Sequence, residues 1–163
     1  MNTKYPLDSL QALRERRVDE QAVRVAEQER ATRAASRAVD EAAARRESAE
    51  QQAHAVVEGE QARLAEGGVV AGELARTAAW QERAQEQLDE LAHEQTRAKA
   101  ELEAQSERGR AARQELAQAD AEAQAVASHR DAWEANRRER VERAEEEAIV
   151  EQWTAKRHPP RGG

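Results

Sequence analysis

Histidine and carboxylate side chains are the groups in this chain that could bind a metal ion or transfer a proton. The four histidines are His54, His93, His129 and His158, and they lie far apart in the sequence. A zinc-binding helix needs two histidines four residues apart, and His93-Glu94 is not followed by such a histidine. The pattern therefore predicts titratable histidines on helix surfaces, with no metal site and no cofactor.

Carboxylates and glycines give no better basis for catalysis. Paired-acid catalysis needs a cleft in which the pKa of one carboxyl group is raised, and the 33 Asp and Glu residues follow no pattern that indicates a cleft. The Gly67-Gly68 pair lacks the following Lys-Ser or Lys-Thr of a phosphate-binding loop, so a turn is the favoured interpretation. We therefore expect a protein that is not an enzyme and has no catalytic residues.

The composition indicates long helices rather than a thick core. Of the 163 residues, 36% are charged, 39% are hydrophobic and 2% are aromatic, and much of the hydrophobic share is alanine. A buried alanine methyl contributes ~0.8 kcal/mol, against ~1.5 to 3 kcal/mol for leucine or valine, so we expect an elongated molecule. Abundant Ala, Glu, Leu and Arg with helical periodicity is typical of coiled coils.

Charge and hydropathy argue against two classes of partner. A formal net charge of -7 disfavours nucleic acid, because chains that bind phosphates carry a clear excess of Lys and Arg. No apolar run approaches the ~20 residues that span a bilayer, so we expect no membrane insertion. The lack of cysteines and of an apolar segment in the first thirty residues predicts a cytosolic protein, or one exported by a route that needs no cleaved signal.

Three glycines near the middle, Gly67, Gly68 and Gly72, interrupt a sequence otherwise rich in helix formers. Glycine costs about 1 kcal/mol inside a helix relative to alanine and often ends one. The sequence therefore predicts an all-α protein, an antiparallel coiled-coil hairpin in a single domain over 1–163. The expected parts are a frayed lead over 1–5, helix 1 over about 6–66, a turn over 67–72, helix 2 over about 73–155 and a disordered tail over 156–163.

Heptad repeats in both helices predict the seam of this hairpin. In helix 1 the seam follows Val18, Val25, Thr32, Val39, Arg46 and Ala53, with Ala35, Ala42, Ala49 and Val56 as the complementary set. In helix 2 the seam alternates steps of three and four from Leu88 to Trp133. A hydrophobic repeat of 3.5 residues predicts a left-handed supercoil. Because most seam residues are small, we expect a marginally stable hairpin.

The two predicted helices differ in length, so the second overhangs the first by about 30 Å, from about Trp133 onward. The overhang carries Val141, Ile149, Val150 and Trp153, which a solvated single helix does not require. Trp80 near the tip and Trp153 in the overhang are candidate anchors for partners, because tryptophan is enriched in binding hot spots. Coverage of alanine-rich helix surface is an equally weighted alternative.

Short motifs at both ends of the chain resemble the YscO/FliJ-like stalk proteins of type III secretion systems. The motifs are Tyr5-Pro6-Leu7, Leu10, Leu13-Arg14 and Arg17-Val18-Asp19 near the amino end, and His129-Arg130-Asp131-Ala132-Trp133 and Glu145-Glu146-Glu147 near the carboxyl end. Together these segments cover about a third of the chain. The carboxyl-terminal segment is more similar to the virulence-associated YscO branch than to the flagellar one.

The resemblance implies a central stalk that sits in the pore of a hexameric secretion ATPase and couples it to the export gate. In that family the paired chain ends enter the ATPase ring and the hairpin end points toward the cytoplasmic ring of the gate. Binding of export chaperones is also described for the family. Such a protein is cytoplasmic, peripheral to the inner-membrane secretion apparatus and without catalytic residues of its own.

The resemblance also suggests which residues face the partners. The candidates for the ATPase-facing end are Tyr5, Leu7, Leu10, Leu13, Arg14, Arg17, Trp133, Arg137, Arg138 and Arg140. No motif transfers to the tip, because this chain is richer in alanine and arginine than the family. Apolar character and position alone make Val69, Val70, Leu74 and Trp80 candidates for contact with the gate.

Two other functions stay open at this point. A passive coiled-coil adaptor or spacer would form concentration-dependent oligomers and would not couple to an ATPase. A stress-type hydrophilic helical protein, disordered until it is dried or bound to a membrane surface, would show little helix in dilute buffer. The glycine break and the uninterrupted heptads of helix 2 argue against this last function.

Overall fold

The computed structural model describes residues 4–68 and 70–157 and consists of two long α-helices. Helix α1 spans Asp8–Ala65 and helix α2 spans Ala71–Arg157. Contacts such as Tyr5 with His129 and Arg63 with Glu73 show that the helices run antiparallel. The prediction of an all-α coiled-coil hairpin is confirmed. Val69 and residues 158–163, which include most of the predicted tail, lie outside the described residues.

The helix ends differ from the predicted boundaries by about two residues. α1 begins at Asp8 rather than Pro6, and the Asp8 amide donates to the Tyr5 carbonyl at 3.3 Å in the turn that leads into the helix. α2 continues through Lys156 and Arg157, which the sequence assigned to the tail. Basic residues in the last turn favour the helix because they complement the negative end of its dipole.

The turn between the helices depends on one glycine and one carboxylate. Gly67 has a φ of 81°, the left-handed conformation that residues other than glycine rarely adopt, and it ends α1. The Glu73 side chain accepts a hydrogen bond from the Val70 amide at 3.4 Å, so it caps the start of α2. This cap explains why α2 begins at Ala71, two residues before the predicted start.

Contacts divide the chain into two units, each containing part of both helices. The terminal unit consists of Met1–Ala22 and Gln114–Gly163, and the tip unit consists of Val23–Arg113. The prediction of a single domain stays a prediction. Within the described residues, neither helix contains a stretch long and apolar enough to cross a membrane.

The seam of the terminal unit contains a polar residue that the heptad analysis missed. Ala119 is 2% exposed and Gln21 is 7% exposed, so both lie between the helices. The Oε1 atom of Gln21 is buried without a hydrogen-bond partner among the described residues. A buried acceptor without a partner costs about 1 to 3 kcal/mol. The seam of this unit therefore holds an uncompensated polar group.

The seam of the tip unit combines alanine with a satisfied polar layer. Ala42 is 2% exposed, and the Gln28 side-chain amide donates to the Gln105 carbonyl at 3.0 Å and to its Oε1 at 2.5 Å. The Thr32 hydroxyl donates to the Gln28 carbonyl at 3.0 Å. Val56 departs from the predicted seam because it is 39% exposed. Hydrogen bonds between the helices here replace part of the missing apolar packing.

Candidate functional site

A buried tyrosine organises the chain ends in the terminal unit. Tyr5 is 5% exposed, and its hydroxyl lies 2.7 Å from Nδ1 of His129 and 3.4 Å from the Val126 carbonyl. The Tyr5 ring packs edge-on against Trp133, with ring centroids 5.6 Å apart. Sequence analysis placed Tyr5 in a frayed lead, but contact with a residue 124 positions away fixes it. We call Tyr5, Val126, His129 and Trp133 the Tyr5 cluster.

Arg130 connects this cluster to the start of α1. Its guanidinium lies 5.8 Å from the Tyr5 ring centroid and binds Gln11 Oε1 at 3.0 Å and Asp8 Oδ1 at 3.4 Å. It also donates to Glu134 Oε1 at 3.0 Å. The hydrogen bond to Glu134, supported by the charge of Asp8, raises the pKa of Arg130 above its ordinary value. Arg130 thus provides a fixed positive charge beside the Tyr5 cluster, as arginine does at neutral pH in any environment.

A second ion-pair group lies further along α1 in the same unit. Arg14 forms an ion pair with the Glu122 carboxylate, and Arg17 approaches the same carboxylate at 3.4 Å. Both arginines come from the amino-terminal motif, whereas Glu122 was not selected from the sequence. Two of the predicted partner-facing residues therefore already hold the two helices together.

A groove of about 620 Å³ opens beside the Tyr5 cluster. Its lining carries basic side chains from Lys4, Arg130, Arg137 and Arg138, and acidic side chains from Asp8, Glu134 and Glu142. The apolar lining comes from Tyr5, Trp133 and Val141. Because Arg130 is paired with Asp8 and Glu134, much of this charge is neutralised within the groove. We call this surface the terminal groove.

The other predicted residues of the terminal end divide between interior and surface. Leu7 and Leu10 are half-buried, whereas Leu13 is 58% exposed. Arg137 stacks over the Trp133 ring at 5.7 Å from its centroid, and exposed Arg140 donates to the Asn136 carbonyl at 3.3 Å. Leu13 and the charged residues that line the terminal groove are therefore more accessible than Tyr5, which contributes to the same lining but is 5% exposed.

At the tip, the predicted residues are more accessible. Val70 is 68% exposed, Leu74 is 45% exposed and Trp80 is half-buried, while Val69 lies outside the described residues. Trp80 lines a groove of about 450 Å³. Its other lining residues include Val56 and Glu60 of α1 and Arg76, Thr77 and Arg83 of α2. We call this surface the Trp80 groove.

The predicted overhang is present at the end of α2. Every described residue from 135 to 157 is exposed, including Ile149 at 67%, Val150 at 60% and Trp153 at 56%. Arg157 lies over the Trp153 ring, 4.1 Å from its centroid. Trp153 is therefore an exposed aromatic side chain on a part of α2 that does not pack against α1, as the unequal helix lengths predicted.

In residues 4–68 and 70–157, no three His, Cys, Asp or Glu side chains lie close enough together to hold a metal ion. The sequence analysis missed three acidic residues of the terminal unit: Asp8 and Glu134, which pair with Arg130, and Glu122, which pairs with Arg14 and Arg17. Their only sequence signal is their position, because Asp8 and Glu134 directly follow motif residues and Glu122 lies two helical turns before His129.

Comparison with known proteins finds one informative likeness. No protein-family model matches the chain, and no curated protein matches it. Among solved structures, the chain is similar to a proposed YscO homologue, CT670 from Chlamydia trachomatis, with a TM-score of 0.80 and 20% sequence identity. The alignment covers 98% of this chain and 99% of that one. The resemblance seen at the two chain ends is confirmed at the level of structure, because the chain has the fold of a proposed YscO homologue.

Proposed function

We propose that this chain is the stalk protein of a type III secretion export apparatus, a cytoplasmic component peripheral to the inner membrane. The observation that carries the proposal is the shared fold with a proposed YscO homologue over nearly the full length of both chains. The motifs at the two chain ends support it independently, since the structure brings Tyr5 and Trp133 of those motifs into contact.

In this function the terminal unit faces the hexameric ATPase and the tip faces the cytoplasmic ring of the export gate. The exposed overhang, with Ile149, Val150 and Trp153, is the part of the terminal unit best suited to reach a partner. Large apolar side chains exposed together on one helix mark interaction surfaces rather than ordinary solvated ones. Export chaperones are further candidate partners of the same protein.

The test is steady-state ATP hydrolysis by the secretion ATPase from the same source, with the full chain and with two variants. One variant ends after Glu142, which removes the distal overhang and keeps every lining residue of the terminal groove. Ending the chain before Trp133 would instead expose the Tyr5 ring. A loss of activity could then come from a destabilised hairpin rather than from a lost contact with the ATPase. The second variant is the full-length I149S/V150S/W153S chain.

We expect the full chain to change the hydrolysis rate and both variants to lose most of that change, because both lack the exposed apolar side chains. Circular dichroism of each variant checks that the hairpin is intact. If the full chain neither alters hydrolysis nor co-elutes with the ATPase, the stalk function is wrong. A concentration-dependent oligomer without ATPase coupling would then identify the passive coiled-coil adaptor.

A further inference from the structure

The Trp80 groove differs from the terminal groove in its charge. Arg76 and Arg83 line it from α2, and among the described residues neither has an ion-pair partner. Its one acidic lining residue, Glu60, lies 3.8 Å from the Arg63 guanidinium. The groove therefore presents uncompensated positive charge on a chain whose net charge is -7.

The floor of the same groove is apolar and accessible. Trp80 is half-buried, and Val56 of α1, which also lines the groove, is 39% exposed although it occupies a predicted seam position. A half-buried tryptophan beside an exposed valine leaves apolar area that a partner side chain could cover. A ligand that fits this groove therefore needs negative charge to pair with the arginines and an apolar side chain to cover the floor.

The spacing of the α2 residues sets the geometry of the ligand. Arg76, Trp80 and Arg83 are separated by steps of four and three, so they lie on one face of the helix. The two arginines are about 10 Å apart along the helix axis, at ~1.5 Å per residue. A partner helix with two carboxylates seven residues apart and an apolar residue between them has the same spacing.

We propose that the Trp80 groove binds an acidic amphipathic helix of a partner protein. Carboxylates of that helix pair with Arg76 and Arg83, and its apolar side chain packs on Trp80 and Val56, in the manner of a helix laid into a groove. The proposal does not depend on the stalk function, because it follows from the lining of one groove in the tip unit.

The test measures the anisotropy of a dye-labelled, alanine-based helical peptide with a leucine, a glutamate four residues before it and a glutamate three residues after it. A second peptide has lysine in place of both glutamates. The protein is the full chain, as wild type, as R76E/R83E and as R97E/R108E. Arg97 and Arg108 are exposed arginines of α2 outside the groove, so the last variant matches the charge change.

The wild type should bind the glutamate peptide, R97E/R108E should bind it within about twofold of the wild type, and R76E/R83E should bind it at least tenfold more weakly. The R76E/R83E variant should also prefer the lysine peptide, and a fourth protein, W80A, should bind the glutamate peptide more weakly than the wild type does. Added salt should weaken the binding of the glutamate peptide to the wild type.

Equal affinity of R76E/R83E and R97E/R108E, equal affinity of the wild type for the two peptides, or no binding at low salt would each overturn the proposal. Self-association of the wild type that R76E/R83E abolishes would identify a second copy of this chain as the occupant, and it would overturn the proposal as well. ATP hydrolysis is absent from the assay, so its result is independent of the test of the stalk function.

Discussion

Tyr5 in the terminal unit and Trp80 in the tip unit have opposite surroundings. Tyr5 is buried, its hydroxyl is hydrogen bonded to His129, and the neighbouring Arg130 is paired with Asp8 and Glu134. Trp80 is half-buried, and the arginines on either side of it have no acidic partner among the described residues. Paired neighbours therefore fix Tyr5 between the helices, whereas the arginines beside Trp80, unpaired among the described residues, leave its surface accessible.

The substitution Tyr5→Ala tests the structural side of this comparison and should have the largest effect. Loss of a buried aromatic ring should lower the free energy of unfolding by about 2 to 3 kcal/mol, measured by urea denaturation. Hydrogen exchange should accelerate near residues 8–14 and 126–133 and stay unchanged near the turn. Tyr5→Phe is the control, because it removes only the hydroxyl hydrogen bonds and should cost about 1 kcal/mol. Equal losses from both variants would contradict a packing role.

Two seam glutamines, buried Gln21 and half-buried Gln28, extend the comparison to the seams of the two units. Gln21→Leu should raise the free energy of unfolding by about 1 to 2 kcal/mol, because it removes a buried acceptor without a partner. Gln28→Leu, in the tip unit, should lower it by about 1 kcal/mol, since Gln28 is hydrogen bonded to Gln105. Thermal and urea denaturation of both variants measure the two signs. A loss of stability in both variants would show that Gln21 is satisfied in solution.

Trp80→Ala tests the other side of the comparison. A half-buried side chain contributes about half as much packing energy as a fully buried one. Its removal should therefore lower the free energy of unfolding by about 1 kcal/mol, less than Tyr5→Ala does. The fluorescence of Trp80, isolated by difference from this variant, should respond to the acidic peptide. If Trp80→Ala destabilises the chain as much as Tyr5→Ala, the contrast between the two units is lost.

The smallest effect is expected from the ion pairs between the helices. A double-mutant cycle with Arg14→Ala and Glu122→Ala should give a coupling of about 0.5 kcal/mol, because both side chains remain partly exposed to solvent. A similar cycle with Arg63→Ala and Glu73→Ala in the tip unit should give no more than that, since Arg63 is more exposed. The coupling should fall at high salt. A coupling above about 2 kcal/mol in either unit would show a desolvated pair.

Heptad spacing predicted most of the fold because helical packing follows a fixed period. The helix 2 seam from Leu88 to Trp133 is buried or half-buried throughout, and the glycines mark the turn. The period also holds at Gln21, which occupies a seam position seven residues before Gln28, but the residue type concealed it. A search for apolar residues passes over glutamine, although a hydrogen bond can place it in a seam.

The candidate site was less predictable because its key contacts join residues far apart in the sequence. Motif similarity selected Tyr5 and Trp133, but nothing local indicated that these two side chains pack together. Glu122 binds Arg14 and Arg17 through its carboxylate. Neither its residue type nor its spacing in the sequence distinguishes it from many other acidic residues on these helices. Partner choice among such residues is set by the register of the two helices, which the sequence fixes only through the seam.

The exposed end of α2 has a consequence for cooperativity. Every described residue from 143 to 157 is exposed, so its helical state is maintained by local interactions such as the Arg143–Glu139 pair. Without packing against a second helix, a helical stretch of about 15 residues is only marginally stable in water. This segment therefore frays before the packed hairpin unfolds, and a partner that binds it must offset the conformational entropy lost when it becomes ordered. Its affinity for any partner is thus tuned by helix propensity as much as by contact residues, and Ala148→Gly would weaken binding without touching the ligand.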